Sequence, residues 1–293
     1  MDGVIVLQPD EWLPRAAAHR ACVESLTVGR RERKSRGEKH PVDDFLFEYY
    51  RHRPSVLARW HPGVGVGLVD APDHEQWRGY VTTDSVTSLN VLDFVERRGA
   101  TVDFVRALLA STLERTAAFS CFGLHEWAMV YGLDETAVRH EDWPLRLGSA
   151  GTDAVVEAHQ ISCSHYDAYR FFTPPAESLN QLRPARDTMP AFEQSGCLHA
   201  GMDIYKWCFK LAPLVPSDLT LDAFKLARRI REVDMRAAPY DLTSLGYEPV
   251  RIETPEGKAE YVAAQRVFTR EGNLLRQRLL EALRAPALKR VSW

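Results

Sequence analysis

The chain lacks several features that would narrow its role at once. No run approaches the roughly 18 apolar residues that a membrane-spanning helix needs, so no such helix is expected. The first residues, MDGVIVLQPDEW, have no basic stretch ahead of a long apolar one, so no signal peptide is expected and the reading is a cytoplasmic protein. The five cysteines (Cys22, Cys121, Cys163, Cys197, Cys208) form no CxxC pair, which argues against a zinc knuckle and for reduced thiols. Positive charge is not in surplus: 37 Lys and Arg face 40 Asp and Glu, a formal net charge of -3. A protein that grips duplex DNA through phosphates usually carries excess positive charge, so any nucleic-acid contact would need a local basic patch.

Catalytic signatures are missing too. The sequence has no P-loop, no GxSxG elbow, no kinase set and no H-x-E…P-C-x-x-C pattern. His125–Glu126 opens a zincin motif, but Met129 stands where the second histidine belongs. Gly63, Gly65 and Gly67 do not lead into a helix at the spacing of a dinucleotide fingerprint. No repeat or low-complexity stretch is visible.

What is present is an ordinary globular composition, 45% apolar and 26% charged over 293 residues, enough for one large domain or two small ones. Periodicity predicts helices over about 9–28, 91–98, 102–118, 124–131, 198–212, 217–236 and 255–285. Shorter signals predict a helix near 55–60, a turn and strand in HPGVGVGLVD and a hairpin over residues 79–90. Residues 143–173 are the least regular, and 173–190 read as a long Pro-rich loop of the kind that is often functional. The expected fold is therefore mainly α, a single helical domain with a small β element and a possible boundary in the 174–195 loop.

Three groups of residues stand out as chemistry-bearing. In CLHAGMDIYKWCFKL, apolar residues cover most of the helix, while His199, Asp203, Lys206 and Lys210 recur at spacings of four, three and four along one face. Such a stripe faces either water or a polar interior, and Tyr205 and Trp207 flank it. In the next helix Asp234 falls on the face of Ala223, Leu226, Ala227, Ile230 and Val233, where a carboxylate must be paired or ligated. The segment EAHQISCSHYDAYRFF holds His159, His165, Asp167 and Arg170; if extended, His165, Asp167 and Tyr169 share a face. His40 with Asp43, Asp44 and Glu48 adds a fourth polar cluster. The stretch GRRERKSRGEK, residues 29–39, carries six basic and two acidic side chains and is the strongest local basic patch.

The strings HPVDDFLFEYY, FGLHEWAMVY, PLRLGSAGTD, HQISCSHYDAYRFFTP, GCLHAGMDIYKW and REVDMRAAPYDL resemble a bacterial family, common in actinobacteria, whose members are generally labelled "3-methyladenine DNA glycosylase". The resemblance spans roughly residues 9–285 and brings no catalytic residue with it. It implies base excision: a damaged purine flipped between aromatic side chains and released by cleavage of its N-glycosidic bond. Such an enzyme needs a carboxylate, for which Asp203, Asp167 and Glu126 are candidates, with His199 as an additional catalytic group. Tyr166, Tyr205 and Trp207 would build the pocket, with His125, His165, Arg170 and Lys206 around the substrate. Residues 29–39 and Arg228, Arg229 and Arg231 would meet DNA phosphates. The residues alone support a second reading, a metal-dependent enzyme on a small molecule. There His40, His125, His199, Asp203 and Asp234 are candidate ligands to a divalent iron, manganese or zinc ion held among helices.

Overall fold

The computed structural model describes residues 4–134 and 143–284. In chain order they form β1 (Ile5–Leu7), α1 (Pro9–Ser35), α2 (Phe45–Glu48), α3 (Pro54–Leu57), β2 (Val66–Val69), α4 (Pro72–Glu75), β3 (Tyr80–Thr83), β4 (Val86–Leu89) and α5 (Val91–Glu114). There follow α6 (Leu124–Ala128), α7 (Gly148–Glu157), α8 (Tyr166–Tyr169), α9 (Pro174–Glu177), α10 (Met189–Phe192), α11 (Leu198–Lys210), α12 (Ser217–Ala237), a 3-10 turn (Thr243–Leu245) and α13 (Pro255–Ala282). The fold is mainly α with a small β element, as the periodicity predicts. No helix among the described residues is long and apolar enough to cross a membrane.

Two compact units can be distinguished. One comprises the described residues of Met1–Leu109, Ile204–Lys225 and Leu274–Trp293, the other those of Ala110–Asp203 and Leu226–Asn273. The 174–195 stretch lies wholly within the second unit.

The first unit holds the sheet, in order β1-β2-β4-β3, with β1 parallel to β2 and the other pairs antiparallel. The hairpin predicted for residues 79–90 is β3–β4, with Thr82 paired to Thr87 and their hydroxyls 2.9 Å apart. Leu7, Trp12, Trp60, Leu68 and Ala71 make a core cluster beside it. Helix α1 starts on a capping interaction, the Gln8 N–H donating to Glu11 Oε2 at 2.8 Å, with Pro9 in the first turn. It runs to Ser35 rather than stopping near Val28. Arginine and lysine are good helix formers, and Arg30 and Arg33 are anchored to Asp44 and Asp43 at 3.2 and 2.7 Å. The basic stretch is thus largely a helix end with several charges already paired, Arg36 with Glu38 among them. Likewise the two helices expected over 91–118 are one, α5, continuous through Gly99 because Val95, Val102, Val105, Leu108 and Leu109 are all buried along it.

A histidine-rich aromatic cluster also sits in this unit. The His61 ring nitrogen Nδ1 lies 3.0 Å from Tyr80 Oη, and its backbone N–H donates to Ser217 Oγ at 2.8 Å. Its ring stands edge-on to Trp77 and His74. Burial, reinforced by His74, Arg59 and His19, pushes the His61 pKa from 6.5 down to about 3. Below pH 6.5 the unfolded chain takes up a proton that folded His61 refuses. Stability that is intact above that pH is therefore lost as the pH falls toward 3, by up to about 1.4 kcal/mol per pH unit. In denaturant titrations between pH 7 and pH 4, His61→Asn is expected to lose stability less steeply than the parent, by up to roughly one proton. Parallel slopes for the two proteins would refute this role of His61.

Candidate functional site

Every donor of the site belongs to the second unit, and a few local devices deliver them. Phe122 and Gly123 both have positive φ, 48° and 76°, which folds Cys121 back against the start of α6. A side chain at residue 123 would meet the Tyr261 ring at 3.3 Å as well as strain the backbone, so glycine is required there. Helix α6 then presents His125 and Glu126 on successive positions, both buried. The irregular segment before α8 is held by Asn180: the Cys163 N–H donates to its Oδ1 at 2.7 Å, and its Nδ2 donates to the Cys163 carbonyl at 3.0 Å. That clasp sets His165 at the start of α8. Gln194 accepts from the N–H groups of Ala118 and Gly196 at 2.9 and 2.7 Å, fixing the loop that carries Glu193 into α11. Gly201 leaves room for Ile230, whose Cδ1 would stand 2.7 Å from an added Cβ. Helix α11, with His199 and Asp203, thereby comes close to α12, with Arg231 and Asp234.

These elements bring together two sets of donors. His125, Glu126, His199 and Asp234 each offer an atom such that all four lie within 4.8 Å of one another, and so do His165, Glu193 and Asp203. His125 Nε2 faces Asp234 Oδ1 at 3.1 Å, and its Nδ1 faces Cys121 Sγ at 3.5 Å. Arg231 Nη1 donates to Glu126 Oε1 at 2.8 Å and to Asp234 Oδ2 at 3.2 Å. His165 Nε2 and Asp203 Oδ2 are 3.2 Å apart. The His199 ring stands between, 4.4 Å from His125 and nearly perpendicular to it, 5.3 Å from His165 and stacked. His199 Nδ1 is buried without a hydrogen-bond partner among the described residues.

The electrostatics follow from burial and proximity. Burial opposes charge on His125, but the attraction and hydrogen bond of Asp234, with Cys121 on the other side, hold its pKa well above the ordinary histidine value. Cys121 is held well below the usual thiol range by its contact with Cys163, against burial and together with His125. Asp234 stays far down the carboxylate range despite complete burial, because His125, His199 and Arg231 surround it. His199 goes the other way: burial first, then the field of His125, keep it a neutral imidazole with a lone pair to give. Burial and Asp234 push the Tyr261 phenol well up.

Of the residues singled out in the sequence, His125, Glu126, His199 and Asp234 meet in one set, and His165 and Asp203 in the other. The α11 stripe faces the interior for three of its four members: His199, Asp203 and Lys206 are buried and only Lys210 is exposed. His165, Asp167 and Tyr169 do not share a strand face, because Asp167 and Tyr169 belong to the short helix α8; Asp167 pairs with Arg170 at 3.2 Å near the surface. Lys206, Tyr205 and Trp207 fall in the first unit, Lys206 over the rings of Tyr50 and Trp207, and Trp207 edge-on to Phe104. His40 is also in the first unit and completes a local turn, its Nδ1 accepting from the Asp43 N–H at 3.0 Å. Arg231 is not a phosphate contact, since its guanidinium is enclosed between Glu126 and Asp234. Arg229 is paired with Glu271 at 2.6 Å.

Sequence reasoning missed Cys121, Glu193 and Tyr261 as site residues, and assigned Arg231 to DNA phosphates rather than to the buried carboxylates. For Arg231 a signal existed, the i,i+3 spacing to Asp234; for Cys121 it was the glycine two residues on. Glu193 stands in a loop with no period to reveal it.

Arg231→Met would leave two buried carboxylates without their guanidinium. The expected loss is about 3–5 kcal/mol in denaturant unfolding of metal-free protein, partly recovered by adding Glu126→Gln. A loss under about 1 kcal/mol, the scale of an exposed pair, would show that the clasp contributes little.

No protein-family model, curated protein or solved structure matches the chain.

Proposed function

We propose that the chain is a metal-dependent enzyme acting on a small molecule, with His125, Glu126, His199 and Asp234 as donors to a first-row divalent cation. One observation carries this reading: two imidazoles and two carboxylates converge within 4.8 Å, and one imidazole, His199, is neutral, buried and unpartnered at Nδ1. A buried polar nitrogen without a partner is costly unless something absent from the protein chain completes it. The donor chemistry narrows what that is. Imidazole with carboxylate suits manganese, iron or zinc better than calcium or magnesium, which prefer oxygen throughout.

The spacing is compatible with coordination. Bonds of about 2.1–2.2 Å at right angles place neighbouring donors about 3.0–3.1 Å apart. The His125–Asp234 separation of 3.1 Å, a hydrogen bond in the protein alone, matches that edge length. Arg231 fixes Glu126 and Asp234 by one oxygen each, and Cys121 Sγ faces the outer nitrogen of His125, the position where an orienting partner to a ligating histidine is usually found. A cation there would polarise a bound oxygen or acidify a bound water. Burial of all four donors favours a small substrate over a polymer, and strengthens every charge interaction the site makes.

The base-excision reading draws less support. Two of the arginines it enlists are held in internal pairs, Arg229 with Glu271 and Arg231 with Glu126 and Asp234.

Elemental mass spectrometry of purified protein, before and after incubation with manganese, ferrous iron or zinc, is expected to find at least one equivalent bound. His199→Ala and Asp234→Asn should each weaken binding by more than the roughly 10–100-fold that loss of an outer partner costs. A folded chain that takes up none of the three metals would refute the reading, and base release from alkylated DNA would then be the assay to apply.

A further inference from the structure

We infer that the site holds two cations rather than one, the second on His165, Glu193 and Asp203; this rests on the proposed metal centre and extends it. The three residues come from three places in the chain: the start of α8, the loop after α10 and the second turn of α11. All three are buried, and their donor atoms lie within 4.8 Å of one another.

The second set repeats the geometry of the first. His165 Nε2 and Asp203 Oδ2 are 3.2 Å apart, against 3.1 Å for His125 Nε2 and Asp234 Oδ1. Both sets thus pair an imidazole Nε2 with an aspartate oxygen at the edge length of a coordination polyhedron. Each set adds a glutamate, Glu193 in one and Glu126 in the other.

His199, a member of the first set, links it to the second. Its ring touches both sets, edge-on to His125 and stacked over His165, and its Nδ1 has no hydrogen-bond partner among the described residues. That one ring nitrogen is open to a cation at the junction of the two sets. The combined inventory, three histidines and four carboxylates on mostly helical elements, has the four carboxylates of paired-metal centres in helical proteins and one histidine more than their two. Imidazole in each set again favours manganese or iron over calcium. Two cations in one buried site would act together on a substrate, one fixing an oxygen that the other cannot reach.

The test counts metal. The full chain is stripped with chelator, reloaded with manganese alone, desalted and analysed by elemental mass spectrometry and electron paramagnetic resonance. The parent protein is expected to hold about two manganese ions per chain, with a spectrum broadened by coupling between them. Glu193→Gln and His165→Asn are each expected to hold about one and to show the ordinary pattern of an isolated ion. One ion in the parent would overturn the second position and leave the first standing. Two ions in the parent, retained in both folded variants, would also overturn it. No ion in the parent would overturn both readings. If either variant fails to fold by circular dichroism, the parent's count and spectrum alone decide: two coupled ions support the pair, and one ion or two uncoupled ions overturn it.

Discussion

The interior of the second unit depends on a guanidinium where a core residue would ordinarily be. Arg231 is enclosed, and it gives hydrogen bonds to Glu126 from α6 and Asp234 from its own helix. Two carboxylates at that depth would repel one another and resist desolvation; with Arg231 between them they become a fixed pair of acceptors. Everything else in the site is arranged against that pair. Asp234 favours the charged form of His125, Cys163 and then His125 favour the thiolate of Cys121, and burial, reinforced by His125, leaves His199 neutral. The protonation of these groups is therefore set jointly by burial and by one another, which is how charges couple at short range in a low-dielectric interior.

The helical framework was largely legible in the sequence because periodicity is a local property. The stripe of His199, Asp203 and Lys206 could be read from spacing alone, and its inward direction was hinted at by the apolar cover on the rest of α11. Asp234 could be placed on the core face of α12 by the same count of four from Ile230. What spacing could not supply was the partner: Arg231, three residues away, reads in the run RRIRE as one more surface charge, and only the tertiary fold shows it turned inward. The ends of helices were harder. Helix α1 outlasts its expected stop because Arg30 and Arg33 find acids more than nine residues further along the chain.

The segment around His165 was the least legible, and for a physical reason. Its β-branched and aromatic residues suggest extension, yet its backbone is fixed by a side chain 17 residues away. No window of sequence short enough to show a period contains both. Glu193 is similar: it sits where Gln194 ties the loop to the end of the α5 connection, a contact spanning 76 residues. Residues whose position depends on such long-range ties appear in sequence as unremarkable loop composition, even when they carry the polar chemistry of the interior.

The Asn180 clasp has a consequence of its own. Its amide is used in full polarity, oxygen toward the Cys163 N–H and nitrogen toward the carbonyls of Cys163 and Leu182, the latter at 2.7 Å. Asparagine side chains age by losing ammonia to become aspartate, a change of one atom and almost no volume. Here that change would turn a double donor into an oxygen facing two other oxygens, with a negative charge buried beside them. The latch that seats His165 would then push where it had pulled, so the chemical age of a single amide would register as a displaced histidine.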